Sequence, residues 1–139
     1  MKRYVVDASF LIDALIDLRS PAMTKLDKCL EEVQKEGAKL LGPPILQSEF
    51  ANSISRNKNL ADDRALAEVF SIFIALPIEY RGFDFDQMWQ QVQTARELGQ
   101  TVYDYSYHFL AILVGGTFLT CDKRYFLAAE KLGSIELVQ

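Results

Sequence analysis

The sequence predicts an α/β fold with a parallel sheet at its centre. Short β-prone runs alternate with helical stretches of about 10 to 15 residues, a pattern typical of βαβ units. The apolar run 3–6 ends directly at Asp7, and helical periodicity follows from Ser9. A chain of 139 residues has room for one domain with a substantial core. We therefore expect a single domain over residues 1–139.

The first half of the chain begins with a strand at 3–6 and a helical stretch after Ser9. Ser20 and Pro21 mark the next helix start, because proline is well tolerated at the first helical position. Gly37 closes that helix, since glycine readily adopts the left-handed conformation of a helix C-terminus. The other predicted elements are a helix at Met23–Lys35, a strand at Ala38–Leu41, and helices at Ile45–Asn57 and Asp63–Ala75, the last capped by Asp62.

The second half continues the alternation. Pro77 interrupts a short apolar run, which favours an edge strand because proline has no amide hydrogen to donate. Asp84 or Asp86 is suited to cap the next helix, and Gly99 to end it. The predicted elements are a strand at Leu76–Glu79, helices ending at Leu98 and spanning Tyr103–Val114, a strand at Thr117–Cys121, a helix at Tyr125–Leu132 and a strand at Ile135–Val138.

Composition excludes several classes of protein. Half of the residues are apolar or aromatic and 24% are charged, which is typical of a globular protein and not of a disordered one. The apolar stretch Phe109–Val114 is far shorter than the roughly 20 residues that span a bilayer. The charge of Asp7 in the N-terminal apolar run argues against a secretory signal, so we expect a cytoplasmic protein without membrane association. Cys29 and Cys121 lack C-x-x-C spacing and are expected to be reduced thiols.

The net charge argues against nucleic-acid binding when it is taken alone. Fifteen basic and 19 acidic residues give a net charge of −4, and a field of this sign repels phosphate. If four carboxylates bind metal, however, the remaining charges balance. The position of the acidic residues therefore matters more than their number.

Four acidic residues fall where a parallel sheet would gather them. Asp7 and Asp122 directly follow predicted strands, and ligands of such sheets bind beyond the carboxyl ends of strands. Glu49 and Asp104 lie near the starts of apolar helices, where a carboxylate needs a partner or a metal. Each residue alone is also consistent with a helix cap, a turn or a solvated surface. The joint pattern predicts a shared acidic pocket.

The aromatic residues near Asp104 carry less information. His108 lies one turn after Asp104 but is more typical of a packed histidine, and it cannot by itself build a histidine-rich zinc site. Tyr103, Tyr105 and Tyr107 are suited to stack on bases, although such side chains more often pack in a core.

Four segments make the sequence similar to PIN-domain nucleases, and specifically to small prokaryotic toxins of the VapC type. Their order, spacing and placement agree with that family over essentially the whole chain. The segments are Val5-Val6-Asp7-Ala8-Ser9 with Leu11-Ile12, Gln47-Ser48-Glu49-Phe50 with Asn52, Thr101-Val102-Tyr103-Asp104 with Tyr107, and Leu119-Thr120-Cys121-Asp122-Lys123.

The resemblance implies a PIN-like three-layer α/β/α domain with a parallel five-stranded sheet and an acidic metal pocket at the strand ends. The catalytic residues carried over by the motifs are Asp7, Glu49, Asp104 and Asp122. The resemblance also implies that Ser9 and Thr120 support the pocket as hydroxyl hydrogen bonders. The stretch after the last aspartate is Arg124-Tyr125-Phe126, whereas some family members carry a further acid there.

The chemistry expected of this set is divalent-metal-dependent hydrolysis of RNA by endonucleolytic attack of water on a backbone phosphate. Mg²⁺ or Mn²⁺ prefers oxygen ligands, and we expect Asp7, Asp104 and Asp122 to bind it. Glu49 is expected to complete the shell or orient the water. The substrate-binding candidates are Arg56, Lys123 and Arg124.

Binding partners are expected from the resemblance and from the apolar residues around Leu11–Leu18 and Ile45–Ile74, which exceed what one small sheet needs to cover it. We expect a homodimer and a cognate antitoxin, the chain being the toxin of a type II toxin–antitoxin pair.

Two alternatives stay open. One is a PIN-type nuclease that acts without an antitoxin, in RNA processing or on flap-like DNA. The other is an acidic α/β domain that binds metal or protein without catalysis.

Overall fold

A computed structural model describes all 139 residues, with one or two helices between successive strands of a single sheet. The strands are β1 (Arg3–Val6), β2 (Lys39–Gly42), β3 (Ile78–Tyr80), β4 (Thr117–Thr120) and β5 (Ile135–Leu137). The helices are α1 (Ala8–Ile16), α2 (Pro21–Glu36), α3 (Ile45–Ser55), α4 (Asp63–Ala75), α5 (Phe85–Leu98), α6 (Val102–Val114) and α7 (Lys123–Ala129), with a 3-10 turn at Glu130–Leu132.

The five strands form one parallel sheet in the order β3-β2-β1-β4-β5. In the centre of the sheet, Val5 is opposite Leu41 on one side and Phe118 on the other. These residues have almost no exposed surface, because both faces of the sheet are covered by helices. The predicted α/β class with a five-stranded parallel sheet is confirmed.

The helices cover the two faces in two groups. Helices α1 to α4 contact one another, whereas α5 contacts α6, and α6 packs against β1 and β4. Right-handed crossovers place these groups on opposite faces, because the chain moves from β1 towards β3 in one direction and from β3 towards β5 in the other. The result is the predicted three-layer α/β/α arrangement.

The strand order reverses between β1 and β4. The connections that leave these two neighbouring strands run to opposite faces of the sheet, which opens a crevice beyond their carboxyl ends. Gly116 allows the close approach of the α6–β4 connection to β1, since a Cβ atom there would lie 2.4 Å from the carbonyl oxygen of Arg3. The topology therefore brings the residues after β1 and β4 side by side.

The predicted helix signals agree with the caps that form. Ser20 accepts a hydrogen bond from the amide of Met23 ahead of Pro21, and Gly37 ends α2 with φ of 72°. Asp84, and not Asp86, caps α5 through a reciprocal bond with Gln87. The predicted bounds of α4 are confirmed, with Asp62 as its cap.

Several predicted element ends and one expected surface region need correction, among them the bounds of β2 and β3 given above. Cys121 lies beyond β4 and Val138 beyond β5, while the predicted last helix ends at Ala129 and continues as a 3-10 turn. The first apolar region expected to remain exposed is largely core, because Leu11 and Leu15 are buried. The largest exposed apolar stripe lies instead on α5. No helix has the length and apolar character required to cross a membrane.

Candidate metal centre

Asp7 lies at the crevice with both carboxylate oxygens held. The first, Oδ1, accepts hydrogen bonds from the backbone amide of Phe10 at 2.8 Å and from the Ser9 hydroxyl at 2.7 Å. The second, Oδ2, accepts one from the Thr120 hydroxyl at 2.6 Å. The residue is 9% exposed. Asp7 is therefore a buried acid and also the N-cap of α1, because its bond from the Phe10 amide caps that helix.

Ser9 and Thr120 join the ends of β1 and β4. Their hydroxyl oxygens lie 3.3 Å apart. Each also accepts a backbone amide from the turn after β4, since Cys121 donates to Ser9 at 3.1 Å and Asp122 donates to Thr120 at 3.0 Å. The two hydroxyl residues expected to support the pocket are thus in direct contact with Asp7 and with each other.

The other three acids reach the crevice from three separate helices. Asp122 caps α7 through the amide of Tyr125 at 3.0 Å. Asp104 lies in the first turn of α6, behind the cap Thr101. Glu49, on α3, accepts a short hydrogen bond from the Tyr107 hydroxyl. All three are partly exposed, whereas Asp7 is buried.

One cavity of about 260 Å³ brings these four carboxylates together. No lysine, arginine or histidine contributes to its lining, so its negative charge has no counterpart within the cavity. The lining residues are Asp7, Ala8, Ser9, Glu49, Asn52, Ser53, Asp104, Tyr107 and Asp122.

Burial and mutual repulsion raise the proton affinity of the cavity. Burial raises the pKa of Asp7 from 3.8 to about 6 against the effect of its hydrogen bonds, and the charge of Asp122 adds to the rise. Burial also raises the pKa of Asp104, again with a contribution from Asp122. The pKa of Glu49 is raised by burial and by the charge of Asp104, while the bond from Tyr107 opposes the rise. The acids therefore interact as one coupled group.

The donor set fits a hard divalent cation. Asp122 uses one carboxylate oxygen for its cap and Glu49 one for Tyr107, so each keeps a second oxygen without a hydrogen-bond partner. Oxygen donors of this kind, with room for several waters, suit Mg²⁺ or Mn²⁺. No three His, Cys, Asp or Glu side chains are as yet close enough together to hold an ion.

The three predicted substrate-binding residues lie outside the cavity lining. Arg56 follows the last residue of α3, and Lys123 and Arg124 begin α7 directly after Asp122. All three side chains are exposed. Arg56 ends the helix that carries Glu49, and Lys123 and Arg124 follow Asp122 in the chain, but none of the three lines the cavity.

Several lining residues had no role assigned from the sequence. Asn52 and Ser53 follow Glu49 by three and four residues, and Tyr107 follows Asp104 by three. Such spacings place side chains on one helical face. The helical period around each predicted acid was therefore the signal that would have found them.

His108 belongs to the core, as expected. Its Nε2 lies 2.6 Å from the carbonyl oxygen of Gly133 and must donate to it, while Nδ1 pairs with the Tyr125 hydroxyl at 2.9 Å. Tyr105 is also buried, and Tyr103 is exposed on the first turn of α6. None of these three residues lines the cavity.

Comparison with known proteins identifies the family. Residues 4–132 match the PIN domain family, which is nearly the whole chain, and the chain therefore belongs to that family. A comparison with curated proteins gave no significant match.

Solved structures share the fold at low sequence identity. VapBC2 from Rickettsia felis, solved bound to a DNA fragment from its promoter, superposes on this chain with a TM-score of 0.69 at 12% identity. The match covers 99% of both chains. PAE2754 from Pyrobaculum aerophilum has a TM-score of 0.63 at 21% identity, over 99% of this chain and 90% of that one. VapC20 from Mycobacterium tuberculosis, a toxin that cleaves the sarcin-ricin loop, has a TM-score of 0.61 at 14% identity, over 98% and 99%.

Replacing Asp7 by asparagine should stabilise the protein in the absence of divalent metal. An acid whose pKa is higher in the folded state loses folding stability as pH rises from its unfolded to its folded pKa. For Asp7 this window runs from about pH 4 to about pH 6. The free energy of unfolding of Asp7→Asn should exceed that of the wild type by up to about 3 kcal/mol above this window, and the gap should close below it.

Urea denaturation in EDTA at several pH values measures this difference. Asp27→Asn, at an exposed position on α2, is the matched control and should show no such pH-dependent gap. A constant difference between Asp7→Asn and the wild type from pH 4 to pH 8 would contradict the burial argument.

Proposed function

We propose that the chain is a divalent-metal-dependent endoribonuclease and the toxin of a type II toxin–antitoxin pair. The observation that carries this proposal is the cavity in which four carboxylates from four different elements meet without a basic residue. Membership of the PIN domain family and the fold shared with VapC20, named as a sarcin-ricin loop cleaving toxin, support it.

In this proposal, Asp7, Asp104 and Asp122 hold Mg²⁺ or Mn²⁺. When bound, such a cation supplies a more acidic water and offsets the charge of the scissile phosphate. Ser9 and Thr120 fix the orientation of Asp7, because they occupy its two oxygens from different elements. Glu49 orients the attacking water from the opposite side of the cavity.

The exposed cations at the rim serve substrate binding in this proposal. Lys123 and Arg124 follow Asp122 directly, and Arg56 ends the helix that carries Glu49. Phosphate contacts from such residues position a nucleic acid without reading its bases. In this proposal they offset locally the repulsion of phosphate that a chain of net charge −4 would otherwise produce.

An RNA cleavage assay tests the proposed activity. Wild-type protein should cleave RNA with Mn²⁺ or Mg²⁺ and lose that activity in EDTA. Asp7→Asn and Asp104→Asn should each reduce cleavage by at least about a hundredfold, because each removes a charged oxygen donor. Mn²⁺ should also raise the Tm of the wild type and leave that of Asp7→Asn almost unchanged.

The exposed variant Asp27→Asn serves as the control here too, and it should cleave like the wild type. Activity retained in a pure preparation of Asp7→Asn would disprove the mechanism. A wild type that binds Mn²⁺ but cleaves neither RNA nor DNA would favour a metal-binding domain without catalysis.

The apolar surface between α3 and α4 supports an antitoxin as partner. Phe70 is 40% exposed and separates two cavities of about 340 and 290 Å³. Both cavities are lined mainly by apolar side chains, and Ala51 of α3 contributes to each. An extended or helical segment with alternating apolar anchors would fill them. VapBC2, described as bound to a DNA fragment from its promoter, shares the fold.

Phe70→Asp should weaken the antitoxin complex without affecting cleavage. The charge would enter an apolar contact, at a cost of about 2 kcal/mol or more, or at least thirtyfold in Kd. Titration calorimetry with the product of the adjacent small open reading frame measures the change. Glu68→Gln, on the same helix but outside both cavities, is the control. Equal affinity for the wild type and Phe70→Asp would place the antitoxin elsewhere.

A second apolar surface, on α5, supports the homodimer. Phe85, Met88, Trp89 and Val92 repeat at helical spacing, and Phe85 and Trp89 are 88% and 61% exposed. Asp86 and Arg96 lie near opposite ends of this helix. Two copies packed antiparallel would bury the stripe and bring these opposite charges together.

Trp89→Glu should convert the dimer to a monomer, because the substitution places like charges in the centre of a twofold contact. Light scattering at micromolar concentration should give a mass of two chains for the wild type and one chain for the variant. The exposed residue Leu18 lies on a different part of the surface, so Leu18→Glu should leave the dimer intact. A wild-type mass equal to one chain would refute the dimer.

A further inference from the structure

Glu49 on α3 and Asp104 on α6 approach the cavity from helices on opposite faces of the sheet. Helix α3 packs with α1 and α4, while α6 packs with α5, β1 and β4. The strands that carry Asp7 and Asp122 belong to the layer between them. Packing of α3 against α1, which Asp7 caps, relates Glu49 to Asp7, but α3 and α6 do not pack extensively against each other, so packing does not fix Glu49 relative to Asp104.

A single side-chain hydrogen bond spans this gap between α3 and α6. The Tyr107 hydroxyl donates to Oε1 of Glu49, and both residues line the cavity. No other side-chain hydrogen bond joins these two helices. The N-terminus of α3 has no side-chain cap to fix it locally, which increases the importance of this contact.

Tyr107 itself is held rigidly. The residue is 2% exposed, and its ring stacks on Phe118 of β4, with centroids 5.8 Å apart and planes 12° from parallel. Phe118 lies opposite Val5 of β1 in the centre of the sheet. The hydroxyl of Tyr107 is thus fixed relative to the same two strands that end at Asp7 and Asp122.

We propose that Tyr107 is a positioning residue, which sets the place and orientation of the Glu49 carboxylate by occupying its Oε1 atom. The other oxygen of Glu49 then remains for the cation or its water, so Glu49 acts through one oxygen only. This inference rests on the proposed function for its catalytic consequence, but the positioning itself follows from the contacts. Partners that orient the groups around a metal commonly affect metal affinity or activity by about 10- to 100-fold.

The structure offers a matched control in Tyr4. Its hydroxyl also donates to a glutamate, Oε2 of Glu32, at 2.7 Å. Tyr4 is buried, and neither residue of this pair lines the acidic cavity. Tyr4→Phe therefore removes the same kind of bond at a comparable burial, without a connection to the site.

The test is a cycle of variants in which Mn²⁺ affinity is measured by electron paramagnetic resonance of the free ion, and RNA cleavage is measured in parallel. Tyr107→Phe should raise the Kd for Mn²⁺ about tenfold and slow cleavage at saturating Mn²⁺ by at least tenfold. Tyr4→Phe should change both by less than twofold. Tyr107→Phe should have almost no further effect when Glu49→Gln is already present, because the two residues act as one unit.

Three results would overturn the inference. The first is that Tyr107→Phe stays within twofold of the wild type in both measurements. The second is that Tyr107→Phe binds Mn²⁺ more tightly than the wild type. The third is that Tyr107→Phe causes the same tenfold loss when Glu49→Gln is already present. A wild type that binds Mn²⁺ without cleaving RNA would refute the proposed activity alone, since the affinity cycle would still decide the role of Tyr107. A wild type that does not bind Mn²⁺ would overturn both.

Discussion

The candidate site depends on a carboxylate that stays buried at the point where the order of the strands reverses. Asp7 has almost no access to water and no cation beside it, yet it ends the central strand. Three donors from three different positions compensate part of the cost, namely the Ser9 hydroxyl, the Phe10 amide and the Thr120 hydroxyl. Burial nevertheless outweighs them, as the raised pKa of Asp7 shows. A buried acid that costs folding free energy at one edge of a well-packed sheet is typical of a functional site.

Two of the acidic residues serve the local fold and the cavity with the same side chain. Asp7 and Asp122 each use one oxygen to cap the helix that follows their strand. The cap fixes the rotamer of the side chain, and the other oxygen remains near the cavity. Local structure therefore orients these acids before any ligand arrives, which reduces the entropy lost when a ligand binds. Glu49 does not cap its own helix, so no local bond of this kind orients its side chain. Its carboxylate is held instead by the hydroxyl of Tyr107, which lies in the helix layer on the other face of the sheet.

The surface divides into regions of different chemistry. The acidic cavity, the apolar surface beside Phe70 and the stripe on α5 are distinct. A monomeric protein of this size seldom exposes two apolar surfaces in addition to an active site. In the proposed function, this separation would let an antitoxin bind beside Phe70 while a second copy of the chain binds to the stripe on α5. Nuclease activity and its control can then be altered by different residues.

The sequence by itself determined the alternation of strands and helices, most caps, and the identity of the four acids. These features are local: Pro77, Gly37, Gly99 and the acid at the end of a strand act within a few residues. Their spacing could also be matched to a family, and the family assignment is confirmed.

Tertiary structure alone decided which of these local features meet. The hydrogen bond between Tyr107 and Glu49 joins residues 58 positions apart on opposite layers, so no periodicity in the sequence indicates it. The exposed stripe on α5 was missed for a related reason, because an amphipathic helix has the same pattern whether its apolar face is covered or open. The expected exposure of Leu11 and Leu15 was wrong because α2 to α4 cover α1. Burial depends on what packs against a face, and that is set by the order of the strands and not by the residues of the face itself.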